Sequence, residues 1–119
     1  MKVLIVDDSA FVVKQLAKIL ESGGHEIIGT AEDGLEGVAK FKELNPDITT
    51  MDVTMPKMDG LTALEEIIKH DPAAKVVMVS ALGKEELIKK SLLIGAKNYI
   101  VKPLDKKKVL DRINQVAGK

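Results

Sequence analysis

Two adjacent carboxylates, Asp7 and Asp8, follow a run of four apolar residues near the start of the chain, in "VLIVDD". Two negative charges held this close repel each other, and the free-energy cost grows where they lie beside apolar chain. A third carboxylate, Asp52, ends the segment "DITTMD". A set of oxygen ligands favours a hard cation such as Mg²⁺ over zinc. These residues predict a magnesium site if the fold brings them together.

Two other side chains could act on a phosphoryl group beside such a cation. Ser80 and Lys102 each follow an apolar run typical of a strand, in "KVVMVS" and "NYIVK". An ammonium group can hold one phosphoryl oxygen and a hydroxyl can donate to another, while a carboxylate can be the nucleophile that forms an aspartyl phosphate. A single Asp after a strand is more often only a helix cap or turn residue. The chemistry therefore depends on all of these positions meeting in space.

Short β-type runs alternate with longer amphipathic runs along the chain. The strands are predicted at residues 2–6, 26–30, 47–52, 75–79 and 98–101, and the last four helices at about 34–44, 61–70, 84–94 and 106–117. Five βα units in series predict an α/β domain, a doubly wound sandwich around a parallel sheet. Ligands bind such sheets beyond the carboxyl ends of the strands. The three aspartates, the serine and the lysine are all expected at that edge.

Composition limits the remaining function classes. The chain has 119 residues, 18 basic and 18 acidic side chains, one tyrosine, two phenylalanines and no cysteine. This excludes disulfides, thiolate metal sites and a polybasic nucleic-acid binder, and no apolar run is long enough for a membrane span. We expect one domain over residues 1–119, located in the cytoplasm, with no nucleic-acid or membrane partner. Because the chain ends just after the last predicted helix, we expect no attached effector domain.

Four segments, "VLIVDDSAF", "TTMDVTMPKMDG", "VVMVSA" and "YIVKP", resemble the signature segments of receiver domains of bacterial two-component response regulators. The resemblance extends from end to end. It implies a flavodoxin-like (βα)5 fold with strand order 2-1-3-4-5. Within the family, the chain is most similar to the single-domain chemotaxis regulator that acts on the flagellar motor switch, although the receiver of the chemotaxis methylesterase shares "VDDSA".

The resemblance also implies roles for the residues at the strand ends. Asp52 becomes the phosphoacceptor, supplied by a histidine kinase. Asp7, Asp8 and Asp52 hold Mg²⁺ together with the backbone carbonyl of Thr54, with Asp7 acting through water. Lys102 contacts the phosphoryl group.

A second group of residues is implied to form the switch. Ser80, followed by Ala81, matches the hydroxyl that moves toward the phosphoryl group, and Tyr99 matches the aromatic side chain that turns inward with it. The bond between Lys102 and Pro103 is expected to be cis. The chain is thus expected to be a switch that phosphorylates and dephosphorylates itself, and not an enzyme in the usual sense.

The surface of helix four, strand five and helix five is where partners of the family read this change. Ile88 and Leu92 are four residues apart and would lie beside Tyr99, which predicts an apolar partner-binding strip; burial under a neighbouring helix is the alternative. The partners that the resemblance implies are a histidine kinase and the flagellar motor switch protein, and it allows a phosphatase. A monomer is expected.

Two positions depart from relatives that hydrolyse their phosphoryl group quickly. Thr54 has a hydroxyl, but Leu82 cannot align an attacking water, so slow self-dephosphorylation is predicted. Two histidines, His25 and His70, lie in predicted turns and are expected to be solvated.

Other functions stay open at this point. The chain could be a phosphorelay shuttle, or the receiver of a larger methylesterase or transcription factor. A Mg²⁺-dependent phosphohydrolase using Asp52 is disfavoured because Thr54 stands where a general acid would be needed. A flavin-binding electron carrier is disfavoured because Asp7 and Asp8 would repel the flavin phosphate.

Overall fold

Five strands and five helices alternate along the chain in the computed structural model, which describes residues 1–118. The elements are β1 (Lys2–Val6), α1 (Ala10–Ser22), β2 (Glu26–Ala31), α2 (Gly34–Leu44), β3 (Ile48–Met51), α3 (Gly60–His70), β4 (Val76–Ser80), α4 (Glu85–Ile94), β5 (Asn98–Val101) and α5 (Lys106–Val116). All strand pairs are parallel, in the order β2-β1-β3-β4-β5. The predicted fold class and strand order are confirmed.

The sheet is covered on both faces, which explains the nearly continuous apolar runs of its central strands. On one face, Phe41 of α2 and Leu64 and Ile67 of α3 pack against alternate strand residues, with α4 at the margin. On the other face, α1 and α5 contribute Leu16 and Ile113, among others. Because the strands are all parallel, their carboxyl ends lie together at one edge of the domain.

Four of the helices start with a side-chain cap close to that edge. The N-cap side chains of Ser9, Asp33, Asp59 and Asp105 each accept a hydrogen bond from a backbone N–H of the first helical turn. Such caps satisfy N–H groups that have no partner within the helix. Helix α4 begins after Lys84 without a side-chain cap, so its first turn has fewer local restraints than those of the other four helices.

One expectation about the turns was wrong. His25, between α1 and β2, is buried, with only 4% of its surface exposed. Its Nε2 lies 3.2 Å from Oδ1 of Asn114 on α5. The turn packs beneath α5, a contact between distant parts of the chain that no local pattern indicates. His70 is exposed as expected, although its ring meets Phe41 edge to face. No helix within residues 1–118 combines the length and apolar character needed to cross a membrane.

Candidate functional site

Three carboxylates converge where β1 and β3 end. These strands are neighbours, with Val6 paired to Met51, so Asp7 and Asp52 leave the sheet side by side. One carboxylate oxygen from each of Asp7, Asp8 and Asp52 lies within 4.8 Å of the others. Asp7 and Asp52 are buried and Asp8 is exposed. The cluster is therefore closed on the protein side and open to solvent at Asp8.

Lys102 supplies a positive charge to this cluster. Its Nζ lies 2.9 Å from Oδ2 of Asp7 and 3.7 Å from Oδ1 of Asp52. The peptide bond between Lys102 and Pro103 is cis, as the resemblance implied. The structure thus brings the strand-five lysine to the ends of strands one and three.

The two buried carboxylates, Asp7 and Asp52, differ in how many of their oxygens have a hydrogen-bond or ion-pair partner. Oδ1 of Asp7 accepts the backbone N–H of Ser9 at 2.9 Å, and Oδ2 accepts from Lys102. Oδ1 of Asp52 accepts the N–H of Val53 at 2.9 Å and faces Lys102. Oδ2 of Asp52 has no hydrogen-bond partner among residues 1–118. Asp52 therefore presents one held oxygen and one available oxygen.

The electrostatics of the cluster are unbalanced. Burial raises the pKa of Asp52, and so does the negative charge of Asp7, with a smaller contribution from Asp8; Lys102 and the Val53 N–H act in the opposite direction. Three carboxylates thus share one ammonium group among the described side chains. The free-energy cost of ionising Asp52 would fall if a cation lay among these oxygens.

Ser80, on β4, and Tyr99, on β5, lie one and two strands beyond β3 in the sheet. Ser80 is the last residue of β4 and is buried, and its Oγ accepts the N–H of Leu82 at 3.1 Å. The ring of Tyr99 is also buried, and its hydroxyl donates to the carbonyl of Leu82. Burial raises the Tyr99 pKa, the nearby Ser80 side chain lowers it, and the charge of Asp52 raises it. Ala81 is exposed between these contacts.

The loop after Asp52 is held by close packing of its backbone. The N–H of Gly60 donates to the carbonyl of Val53 at 2.7 Å, and a Cβ on Gly60 would lie 1.8 Å from the carbonyl oxygen of Asp52. Only glycine fits this contact. Thr54 is exposed on the same loop, and the part of its carbonyl in metal binding remains a prediction.

A groove of about 340 Å³ lies between α4, β5 and α5. Its lining includes the predicted strip, Ile88 and Leu92, beside Tyr99, together with Val101 and Pro103. Ile88 is half-buried and Leu92 is 45% exposed. The structure therefore places the three residues together as predicted, while their role in partner binding stays a prediction.

Sequence reasoning missed two backbone contacts around Tyr99. The Leu82 carbonyl that receives its hydroxyl could not be found from residue types, because any residue offers a carbonyl. The second contact comes from Arg112 on α5, which donates to the Tyr99 carbonyl at 2.8 Å. Arg112 is the single arginine among 18 basic residues; this sets the residue apart in the sequence but does not indicate which group it contacts.

This fold, with an acidic cluster and a lysine at its carboxyl edge, matches known proteins over its whole length. The family model described as the response regulator receiver domain matches residues 3–114. The chain is 64% identical over 117 residues to the chemotaxis protein CheY of Treponema pallidum, covering 97% of this chain and 81% of that protein. It is 46% identical to the CheY of Thermotoga maritima, covering 98% and 97%. The chain belongs to the response regulator receiver domain family.

Solved structures agree with this assignment. A CheX–CheY–BeF3–Mg²⁺ complex from Borrelia burgdorferi contains a chain similar to this one, with a TM-score of 0.97 and 56% identity, covering 100% of this chain and 90% of that chain. The response regulator domain of Thermotoga maritima CheB is similar at a TM-score of 0.88 and 38% identity, covering 99% and 94%. The predicted likeness to chemotaxis response regulators is confirmed, and it is greater in these examples than the likeness to the methylesterase receiver.

Proposed function

We propose that this chain is a phosphorylation-dependent switch in which Asp52 accepts a phosphoryl group from a histidine kinase. The observation that carries the proposal is the state of the Asp52 carboxylate. One oxygen is fixed by the Val53 N–H and Lys102, and the other is available within a buried, acidic edge. A nucleophile needs one free oxygen and a fixed orientation.

The residues present fit a magnesium ion. The donors are all oxygens and lie within 4.8 Å of one another. The three carboxylates carry more negative charge than the single positive charge of Lys102 can balance. Asp8 and Asp52, with the Thr54 carbonyl, would hold the ion directly, and Asp7 would act through water because the chain already engages both of its oxygens. The ion would supply positive charge to the transferred group. The similar chain from Borrelia burgdorferi forms a complex that contains BeF3 and Mg²⁺, which supports the choice.

We assign one chemical step to the chain, the transfer of a phosphoryl group to Asp52. Oδ2 of Asp52 forms a bond to phosphorus while the bond from phosphorus to the donor imidazole breaks, and the imidazole takes a proton from solvent. Lys102 lies 3.7 Å from Oδ1 of Asp52, within reach of a phosphoryl oxygen on the same carboxylate. The Lys102 ammonium would offset the negative charge of the phosphoryl group. Its ion pair with Asp7 would hold the lysine side chain in place.

Ser80 and Tyr99 would convert this event into a change of surface. Ser80 Oγ holds the Leu82 N–H, and Tyr99 holds the Leu82 carbonyl. When Oγ turns to donate to a phosphoryl oxygen, the Leu82 segment and the Tyr99 hydroxyl can rearrange together, because both are bonded to the same residue. The groove beside Ile88 and Leu92 is bounded by that tyrosine.

The proposed partners follow from the family and its chemotaxis members. A chemotaxis-type histidine kinase would supply the phosphoryl group, and a flagellar motor switch protein would bind the groove in the phosphorylated state. The Borrelia relative forms a complex with CheX, so we include a partner of that kind. We place the chain, as a monomer, in the cytoplasm.

Intact mass after incubation with acetyl phosphate and Mg²⁺ tests this function. We expect a gain of one phosphoryl group in the unaltered chain and in Asp59→Asn, an exposed carboxylate that caps α3. We expect no gain in Asp52→Asn or without the metal. A gain in Asp52→Asn equal to that of the unaltered chain would contradict the assignment.

A further inference from the structure

The backbone of Tyr99 faces the open edge of the sheet. β5 is the last strand in the order β2-β1-β3-β4-β5, so one of its sides has no neighbouring strand. The N–H of Lys102 donates to the Ser80 carbonyl at 2.8 Å. Because the backbone groups of successive strand residues point to opposite sides, those of Tyr99, three residues earlier, point away from β4.

Both of these edge-facing groups are satisfied by side chains. The Tyr99 N–H donates to Oδ1 of Asn98 at 2.8 Å, and the Tyr99 carbonyl accepts from Nη1 of Arg112 at 2.8 Å. The same Nη1 lies 3.1 Å from Oδ1 of Asn98, which closes a ring of three contacts. Nδ2 of Asn98 reaches Oε1 of Gln115 at 3.4 Å, so the amide orientation is also fixed. We name Asn98 and Arg112 the edge clamp.

At the other edge of the sheet, on β2, a single side chain contacts the edge-facing backbone. On β2, the Thr30 carbonyl accepts from Nζ of Lys40 at 2.5 Å. A charged side chain, especially a lysine, is a common way to blunt an edge strand. On β5 the chain instead places its only arginine and an asparagine on the two backbone groups of a single residue. That residue is the tyrosine whose hydroxyl is bonded to the β4–α4 loop.

We propose that Asn98 and Arg112 are positioning residues of the switch: the edge clamp holds the main chain of Tyr99 in place while its ring changes position. This proposal rests on the proposed function, since it assigns a part in the same switch. A ring that turns about a fixed Cα changes the groove and the Leu82 contact in a defined way. If β5 moved together with the Tyr99 ring, part of the movement would be taken up by the strand. The change in the shape of the groove would then be smaller.

Amide hydrogen exchange of the unphosphorylated chain tests the clamp itself. In Asn98→Ala and in Arg112→Ala we expect the exchange of the Tyr99 amide to speed up about tenfold. The double variant should add little, because both side chains act on one ring of contacts. Lys108→Ala removes another exposed cation from the same groove and should leave the Tyr99 amide unchanged. The Ile5 amide, in the buried centre of the sheet, reports global stability.

A fluorine resonance tests the positioning role. Tyr99 is the only tyrosine, so 3-fluorotyrosine gives one ¹⁹F signal, recorded with and without beryllofluoride and Mg²⁺. We expect a displacement in the unaltered chain and in Lys108→Ala, and a displacement of about half or less in either clamp variant.

The outcomes separate the two proposals. If the unaltered chain shows no displacement, the proposed function fails and the switch role of the clamp fails with it. If the unaltered chain responds and the clamp variants respond equally, the positioning proposal alone is overturned. An unchanged Tyr99 amide in both single variants, or equal acceleration at Tyr99 and Ile5, would also overturn it.

Discussion

At the scale of single residues, the surroundings of Asp52 oppose the charge of its ionised form. Burial and the neighbouring Asp7 raise its pKa above the ordinary value of 3.8. The protonated form therefore contributes stability that is complete below that value and is lost as the pH rises through the higher pKa of the folded state. Above that pKa the ionised carboxylate destabilises the chain.

Asp52→Asn should consequently raise the free energy of unfolding at neutral pH in the absence of metal, by on the order of 1 kcal/mol. Lys102 keeps Asp7 as its partner in this variant, so no buried cation is left unpaired. The gain should shrink as the pH falls toward 3.8. Urea unfolding at several pH values measures it, with Asp111→Asn as an exposed control. A gain that grew toward acidic pH would contradict the assigned cause.

At the same scale, we expect Leu82 to control how long the phosphoryl group stays on Asp52. Its side chain is 44% exposed and has no group that can orient water. Leu82→Asn should shorten the half-life of the phosphorylated chain about tenfold, while Leu82→Ala should not. The decay of the phosphorylated mass after removal of the donor measures this. A half-life of seconds in the unaltered chain would count against the prediction of slow self-dephosphorylation.

At the scale of elements, the start of α3 fixes the loop that carries Thr54. Gly60→Ala would place a Cβ 1.8 Å from the Asp52 carbonyl, so the helix or the loop must shift. We expect a loss of about 2 kcal/mol of stability and weaker Mg²⁺ binding, both read from thermal unfolding with and without the ion. Glu65→Ala, at an exposed position of the same helix, should change neither. Unaltered Mg²⁺ binding in Gly60→Ala would show that the loop geometry does not matter.

Helix α4 offers a test of the groove. Leu92 lines the groove beside Tyr99, whereas its neighbour Leu93 is 88% exposed. Leu92→Ala should weaken binding of the phosphorylated chain to an immobilised motor switch protein about tenfold. Leu93→Ala serves as the matched control and should have little effect. Equal losses in both variants would place the partner elsewhere on the helix.

At the scale of the whole molecule, metal binding and folding should be coupled. Because the acidic cluster joins the ends of β1 and β3, a bound ion stabilises only the folded chain. At Mg²⁺ about 100 times its Kd, the free energy of unfolding should rise about 2.7 kcal/mol. Thermal unfolding measures the rise, and Asp8→Asn, at the exposed carboxylate, should reduce it. A similar rise in Asp8→Asn would place the ion outside this cluster.

Much of this architecture is predictable because the signals repeat. Apolar runs of strand length, each followed by an amphipathic helix, define the sheet, and the ends of parallel strands then collect Asp7, Asp52 and Lys102 without knowledge of any contact. Contacts between distant elements are different. The burial of His25 beneath α5 and the Arg112 bond to Tyr99 depend on how α5 lies over the sheet, and neither residue carries a local pattern that reports it.

The central claim is that Asp52 is the acceptor, and chemical trapping locates it most directly. After reaction with acetyl phosphate and Mg²⁺, borohydride reduces an aspartyl phosphate to homoserine, which peptide sequencing by mass spectrometry assigns to a position. We predict homoserine at position 52 alone. Homoserine at position 7 or 8, with Asp52 unmodified, would contradict the claim.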